Sequence, residues 1–229
     1  MWIKRAFDIA FSATVLLLLA PLLAVIALWV RRDSPGPVIY QQERVGRYGQ
    51  LFRIYKFRTM RVGADAAGPQ ITVGADARIT RAGQFLRRTK LDELPQFANV
   101  LCGDMSVVGP RPEVPKYVAL YPTEVAAQVL SVRPGITDLA SLAYRDESEV
   151  LARSNDPERA YVQEILPAKL QYACQYVQQR SLWLDLRIIA RTAAAVFSAP
   201  ADPQTPYNHG FGCESMRSQP PDLATVQRR

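Results

Sequence analysis

Histidine is almost absent from this chain of 229 residues: the one present, His209, lies in a proline-rich C-terminal stretch. Ser-His-Asp and Cys-His nucleophile systems and histidine metal centres therefore lack their central residue. Cysteine is scarce too. Cys102, Cys174 and Cys213 are odd in number, far apart and form no C-x-x-C pair, which argues against a disulfide framework and a zinc module. No G-x-x-x-x-G-K-[ST] occurs, and no G-x-G-x-x-G follows a strand pattern, so neither a P-loop ATPase nor a Rossmann enzyme is supported. The 12 glycines show no triplet period, which excludes a collagen-like chain. A hydrophobic content of 48% is too high for a wholly disordered one. Any catalysis must run on carboxylates, lysine and arginine.

What is present is unevenly placed. Residues 1–111 hold 16 Lys+Arg against 8 Asp+Glu, whereas residues 112–229 hold 12 against 13. The first half therefore favours anionic partners; nucleic acid, membrane phosphates and nucleotide substrates all qualify at this level.

Ile9 to Val30 is a run of 22 residues without a charge, interrupted only by Ser12, Thr14 and Pro21. As one helix it would measure roughly 33 Å, enough to cover a hydrocarbon core of about 30 Å. Arg31 and Arg32 follow where a signal peptide would have its small-residue cleavage site. Pro21 removes an intrahelical hydrogen bond and should kink or break the helix, and neither half spans alone. Lys4 and Arg5 precede the run and Arg31 and Arg32 follow it. A crossing helix usually concentrates positive charge on one side, whereas a re-entrant hairpin puts both clusters on the same face. On hydropathy alone a bitopic helix with a tolerated proline stays open. Asp8, just inside the apolar boundary, needs a partner, and Lys4 or Arg5 lies one helical turn away.

Beyond residue 33 no second segment is long and apolar enough to cross. Ser34-Pro35-Gly36-Pro37 marks a turn. Val38-Ile39-Tyr40 and Leu51–Phe57 flank Gly46 and Gly49 and read as a short hairpin. Thr80–Arg88 reads as a basic helix and Leu94–Leu101 as another, with Pro95 in its first turn and Gly103 past its end. Asn155-Asp156-Pro157-Glu158 starts an amphipathic segment to about Gln179 that Pro167 should bend. Ser181 is placed to cap a last helix through Phe197, on which Leu182, Trp183, Leu186, Ile189 and Ala190 form a stripe that reads as core; Trp183 with Arg187 and Arg191 leaves docking at a membrane interface open. Five prolines from Pro200 onward predict a mobile tail. The expected organisation is an anchor over residues 1–33, a domain on one side of the membrane over 34–199 and a disordered tail over 200–229.

The densest polar segment is Arg87-Arg88-Thr89-Lys90-Leu91-Asp92-Glu93-Leu94-Pro95-Gln96. Adjacent carboxylates beside three cations are either a solvated helix junction or part of a phosphate-handling site, in which fixed guanidiniums hold phosphate oxygens and carboxylates hold Mg²⁺. The same half supplies Gln42, Arg44, Lys56, Arg58 and Arg111, the last stiffened between Pro110 and Pro112. Cys102 reads as a small core residue. A membrane-anchored basic adaptor that binds acidic partners or nucleic acid without chemistry is the competing reading, but it has no need for paired acids within its basic patch.

The motifs Lys4-Arg5-x-x-Asp8, the proline-interrupted apolar helix, Asp33-Ser34-Pro35-Gly36-Pro37, Gln42-x-Arg44-Val45-Gly46, Lys56-Phe57-Arg58-Thr59-Met60, Asp92-Glu93-Leu94-Pro95-Gln96, Gly103–Pro112 and Arg133-Pro134-Gly135-Ile136-Thr137 occur in one order. Together they closely resemble the monotopic phosphoglycosyl transferases, the bacterial sugar transferase family, in their minimal form. The resemblance covers roughly Lys4 to Phe197. It implies an α+β, mainly helical fold: a re-entrant membrane helix broken at Pro21, with Lys4, Arg5 and Asp8 in the anchor, then a compact cytoplasmic domain with short strands and amphipathic interfacial helices. It also implies transfer of a phosphosugar from a UDP-sugar to polyprenol (undecaprenyl) phosphate at the cytoplasmic face of the bacterial inner membrane, with release of UMP. The partners are then these two substrates and membrane lipid, with no nucleic acid, and a homodimer is allowed. Asp92 matches the family's nucleophile and Glu93 the second acid, the pair that would place Mg²⁺. Lys56, Arg58 and Arg111 match cationic motif positions and are assigned to phosphate; Arg87, Arg88 and Arg145 join them on charge alone. Ala20 stands before the proline where the family commonly has Ser, and Asp138 follows Pro-Gly-Ile-Thr where Gly is frequent.

Overall fold

The uncharged run folds as a helix that extends beyond it at both ends. In the computed structural model, which describes residues 2–64, 76–143, 151 and 154–197, α1 spans Trp2–Asp33 and contains Pro21. It is the one helix among the described residues long and apolar enough to cross a membrane. Leu17, Leu18, Leu22, Val25 and Leu28 lie exposed along it, a contiguous apolar surface of the kind that marks contact with lipid or a partner.

Its two ends are tied to one and the same domain. Near the start, Asp8 Oδ2 accepts from Ser106 Oγ at 2.9 Å and Oδ1 from Val107 N at 3.2 Å, and Arg5 donates to the carbonyls of Val100 and Leu101 at 2.7 and 3.2 Å. Lys4, expected beside Asp8, is 3.7 Å from it and binds Asp185 Oδ2 more closely, at 2.6 Å. At the far end Ile26 and Val30 pack with Phe57 and Leu86. The chain then leaves through Gly36, whose φ of +118° and contact with Arg58 leave no room for a side chain.

The expected hairpin forms from β1 (Ile39–Val45) and β2 (Leu51–Phe57), paired antiparallel from Ile39↔Phe57 to Val45↔Leu51. The basic helix is α2 (Arg81–Thr89), capped by Thr80, whose Oγ1 accepts from Gly83 N at 3.0 Å. A Cβ on Gly83 would stand 2.0 Å from the Thr59 carbonyl oxygen, so glycine lets α2 lie directly on the strand leaving the hairpin. Next come a 3₁₀ turn over Leu91–Glu93 and α3 (Gln96–Cys102), which ends at Gly103 in the left-handed conformation. β3 (Ser106–Val108) pairs in parallel with β4 (Gly135–Thr137), and α4 (Pro115–Val118) and α5 (Thr123–Val129) lie between them in the chain. α6 (Leu139–Ala143) follows β4.

The Asp156 side chain accepts from Arg159 N and starts α7 (Pro157–Ala160). Pro167, where the sequence predicts a bend, stands at the start of α8 (Leu166–Gln179), directly after a π-helical turn over Tyr161–Ile165. A missing N–H four residues on frees a carbonyl, and such wide turns absorb the mismatch. Ser181 Oγ accepts from Leu184 N at the start of α9 (Leu182–Phe197). Ile54, Val100, Met105, Val107, Val108, Leu139, Tyr176, Leu184 and Ile188 form the main core.

Two expectations are corrected. The stripe read as core on α9 is largely outward: Leu182, Trp183 and Leu186 are exposed, whereas Leu184, Asp185 and Ile188 are buried. The cause is Asp185, which turns inward to Lys4 and to the Tyr176 hydroxyl at 2.8 Å and so sets the helix's rotation. Cys102, expected in the core, is exposed at the end of α3. Arg145 and the tail over 200–229 lie outside the described residues.

Candidate active site

Asp92 and Glu93 owe their position to two local devices. Lys90 adopts the left-handed conformation at φ 58°, which stops α2 and redirects the chain into the Leu91–Glu93 turn; a non-glycine residue there stores a little strain. The Asn99 amide, fully buried in α3, accepts from Tyr55 N at 2.9 Å and donates to the Arg53 carbonyl at 2.8 Å. It therefore pairs α3 to β2 as a strand would, and β2 carries Lys56.

Lys56 Nζ meets Glu93 Oε1 at 2.9 Å. From the loop after β3, Arg111 grips the same carboxylate with both terminal nitrogens, Nη2 to Oε1 at 2.5 Å and Nη1 to Oε2 at 3.3 Å. Burial alone would raise the Glu93 carboxyl, but Arg111 and then Lys56 hold it well below the ordinary glutamate range. The same pairing raises Arg111, and burial lowers Lys56. Arg44 donates to the Pro112 carbonyl at 3.0 Å and Asp138 Oδ2 accepts from Arg111 N at 3.3 Å, so the Arg111 backbone is held on both sides.

Asp92 is the opposite case. It is 7% exposed, yet its Oδ1 has no hydrogen-bond partner among the described residues. Burial and then the Glu93 charge raise its carboxyl, against the pull of Lys56, Lys90 and Arg87. A buried carboxylate oxygen with no donor is costly and is a place where an incoming group finds an open acceptor. Arg87 Nε binds Thr59 Oγ1 at 2.8 Å, and its guanidinium acts on Asp92 through space.

These residues line one cavity of about 1660 Å³. Its wall runs from Phe11, Val15 and Leu19 of α1, past Lys56, Arg87, Asp92, Glu93 and Arg111, to Tyr117, Tyr161 and Lys169. An apolar side thus meets a cationic floor. Arg88 also reaches the lining and sits over the Phe85 ring at 5.9 Å. Arg58 does not join the carboxylates: its Nη1 donates to the Pro35 carbonyl at 2.8 Å and its Nη2 to those of Ser34 and Val30 at 2.6 and 3.4 Å, closing the end of α1.

A family model described as bacterial sugar transferase matches residues 1–199. The chain belongs to the bacterial sugar transferase family. It is 38% identical over 193 residues to the UDP-glucose:undecaprenyl-phosphate glucose-1-phosphate transferase of Escherichia coli (strain K12), covering 83% of this chain and 39% of that one. It is 36% identical over 199 residues to the UDP-N-acetylgalactosamine-undecaprenyl-phosphate N-acetylgalactosaminephosphotransferase of Aeromonas hydrophila, covering 86% and 44%. The chain thus spans less than half the length of these two relatives. With the exopolysaccharide production protein PSS of Rhizobium leguminosarum bv. phaseoli it shares 41% identity over 199 residues, covering 84% and 94%.

Reading the sequence for charge missed Glu113, Tyr161 and Lys169, all on the cavity wall. They come from the half of the chain without net positive charge. The available signal was Glu113's place directly after Arg111-Pro112.

Proposed function

We propose that the chain is a phosphoglycosyl transferase that moves a phosphosugar from a UDP-sugar to polyprenol phosphate and releases UMP. The observation that carries this reading is the division of labour in the acid pair: Glu93 neutralised by Arg111 and Lys56, Asp92 buried beside it with an oxygen unclaimed. An Asp92 oxygen attacks the sugar-side phosphorus of the diphosphate. The bond from that phosphorus to the bridging oxygen breaks, and its electron pair leaves with UMP. A phosphate oxygen of the polyprenol phosphate then attacks the phosphorus of the acyl phosphate and returns the carboxylate to Asp92, giving the polyprenyl-diphosphate-sugar.

An anion approaching a diphosphate is repelled unless cations neutralise the centre, and Lys56, Arg111 and Arg87 surround it. Asp92 is the carboxylate that would hold Mg²⁺; Glu93, expected to share the ion, has both oxygens engaged by Lys56 and Arg111. The open Asp92 Oδ1 fits an ion that usually takes one or two carboxylates and completes its shell with water and substrate phosphates. The ion would supply further charge neutralisation at the phosphates. Assembly of an exopolysaccharide or another surface glycan is the use that fits such a product.

We read α1 as re-entrant, with the domain on the cytoplasmic face of the inner membrane. What supports this is that residues at both ends of α1 bind one domain, whereas a spanning helix would carry one end about 30 Å away across the hydrocarbon. Cysteines introduced near Trp2 and Asp33 should both resist an impermeant thiol reagent in intact cells; labelling near Trp2 alone would establish a bitopic anchor. For the chemistry, purified protein given UDP-sugars, Mg²⁺ and undecaprenyl phosphate should release UMP, and Asp92→Asn should stop it. Undiminished release by that variant would exclude Asp92 as nucleophile. The adaptor reading predicts no UMP release and salt-sensitive polyanion binding indifferent to Asp92→Asn.

A further inference from the structure

A second polar cluster lines the same cavity, and the chemistry above makes no use of it. Glu113 is at its centre. Its Oε1 accepts from the Tyr161 hydroxyl at 2.6 Å and faces Lys169 Nζ at 3.8 Å, and its Oε2 faces Arg44 Nη1 at 3.6 Å. The contrast with Glu93 is informative. Both Glu93 oxygens are taken by cations at hydrogen-bond distance, whereas both cations around Glu113 stand beyond it, and Oε2 accepts no hydrogen bond from the described residues. The carboxylate is nevertheless only 11% exposed on its side chain, so it is an acceptor held open inside a cavity wall. Arg44 and Lys169 flank it, Lys169 also donating to the Tyr161 hydroxyl at 3.4 Å, and the Tyr117 and Tyr161 rings are buried in the core with Lys169 Nζ over the Tyr161 ring at 4.9 Å.

Open carboxylate and flanking cations together suit a neutral ring bearing several hydroxyls, which donates to Glu113 and accepts from Lys169 or Arg44. The cluster has a fixed distance to the phosphate floor. Glu113 and Arg111 are two positions apart in the chain and both line the cavity, so their Cα atoms are at most about 7 Å apart. Arg44 holds the Pro112 carbonyl between them, and the Glu113 carbonyl accepts from Val45 N at 3.0 Å. A group attached directly to a phosphate lying near Arg111 therefore falls within reach of Glu113.

Building on the transferase reading above, we propose that Glu113, with Tyr161, Lys169 and Arg44, is the subsite that recognises the hexose of the nucleotide sugar, with Glu113 its specificity-determining residue. The ribose offers the same hydroxyl chemistry, and the experiment separates the two. UMP release is measured for wild type, Glu113→Gln and Tyr161→Phe with UDP-glucose, UDP-galactose, UDP-N-acetylglucosamine and UDP-N-acetylgalactosamine, and inhibition by UMP, which has no hexose, is measured in parallel. Tyr161→Phe removes a single hydroxyl and preserves the ring pair, so it reports even if Glu113→Gln folds poorly. The expected result for Glu113→Gln is a change of at least tenfold in the ratio of kcat/KM between the best and the other hexoses, carried mainly by KM, with UMP inhibition within twofold of wild type; Tyr161→Phe should shift the ratio in the same direction by a smaller factor. An equal loss for all four sugars, or an unchanged ratio in both variants, overturns the assignment. So does a parallel weakening of UMP inhibition, which would give the cluster to the nucleoside. If the wild type releases UMP from none of the sugars, the transferase reading itself has failed, a result distinct from each of these.

Discussion

The unclaimed carboxylate makes a prediction about stability that is independent of turnover. Asp92 is buried, its Oδ1 lacks a donor among the described residues, and burial together with the Glu93 charge raises its carboxyl. A buried acceptor left unsatisfied costs about 1–3 kcal/mol, more when it is charged. Asn keeps the shape and an acceptor oxygen but drops the charge and its repulsion with Glu93. It also brings an amide that must find partners, so the lower part of that range applies. Asp92→Asn should therefore stabilise the protein by about 1–2 kcal/mol, and in a chain of this size, where each kcal/mol moves Tm by about 2–4 °C, the rise is about 2–8 °C.

The pH dependence separates this cause from a general effect of mutation. A carboxyl raised on folding binds its proton more tightly in the folded state. Its penalty is absent below the unfolded aspartate value of about 3.9 and grows as pH rises up to and through the raised folded value. The Tm difference between Asp92→Asn and wild type should thus be largest at neutral and alkaline pH and close towards pH 4. The assay is thermal unfolding in detergent with EDTA present, so that no divalent ion compensates the charge. A variant no more stable than wild type at pH 7.5, or a gap that widens on acidification, would refute the reasoning, because the Asp92 charge would then be favourably held without substrate.

Two further predictions test how α1 is fixed. Arg58→Lys cannot reproduce three carbonyl contacts with two terminal nitrogens, and should lower stability in chemical denaturation by at least about 2 kcal/mol, with KM for the UDP-sugar unchanged in the folded protein; a selective rise in KM would instead return Arg58 to the phosphate site. Lys4→Met leaves Asp185 and Asp8 without their cation. Burial already raises Asp185, so the loss, about 1–3 kcal/mol given that Lys4 is partly exposed, should be greater at pH 8 than at pH 5, shrinking as the fall in pH favours the protonated carboxyl. Equal loss at both values would exclude this charge as the cause.

The elements legible in the sequence are those whose causes are local. The hairpin follows from two β-branched and aromatic runs around Gly46 and Gly49, α2 from Thr80 and the basic period after it, and α3 from Pro95 and Gly103, all of which act within a few residues. The acid pair was legible for the same reason, as a break in a run of cations. What escaped is what depends on distant partners. Nothing within α9 reveals that Asp185 faces inward, because its cation, Lys4, is 181 positions away. Composition likewise places Arg58 and Arg111 in one class, and only the carbonyls closing α1 separate a guanidinium spent on backbone from one spent on a carboxylate. Glu113 escaped because its significance lies in which of its contacts fall short of bonding distance, and no residue pattern encodes that.

These long-range ties bear on how the candidate site would meet the lipid substrate proposed for it. Lys4, Asp8 and Asp185 with Tyr176 and Ser106 form one buried polar network, so the start of α1 is pinned by hydrogen bonds that are lost outright if it shifts. Arg58 pins the other end, and it leaves the strand, β2, on which Lys56 lies two residues before it. The apolar middle of the helix has no such ties and exposes its leucines. Whatever depth that middle takes in a bilayer is therefore transmitted to the acid pair through two rigid attachments, one of them through β2 itself. An anchor on a loose linker would let the acid pair wander relative to a membrane surface; an anchor built into the polar core fixes Asp92 relative to α1, which is what the proposed attack by a membrane-borne phosphate would require.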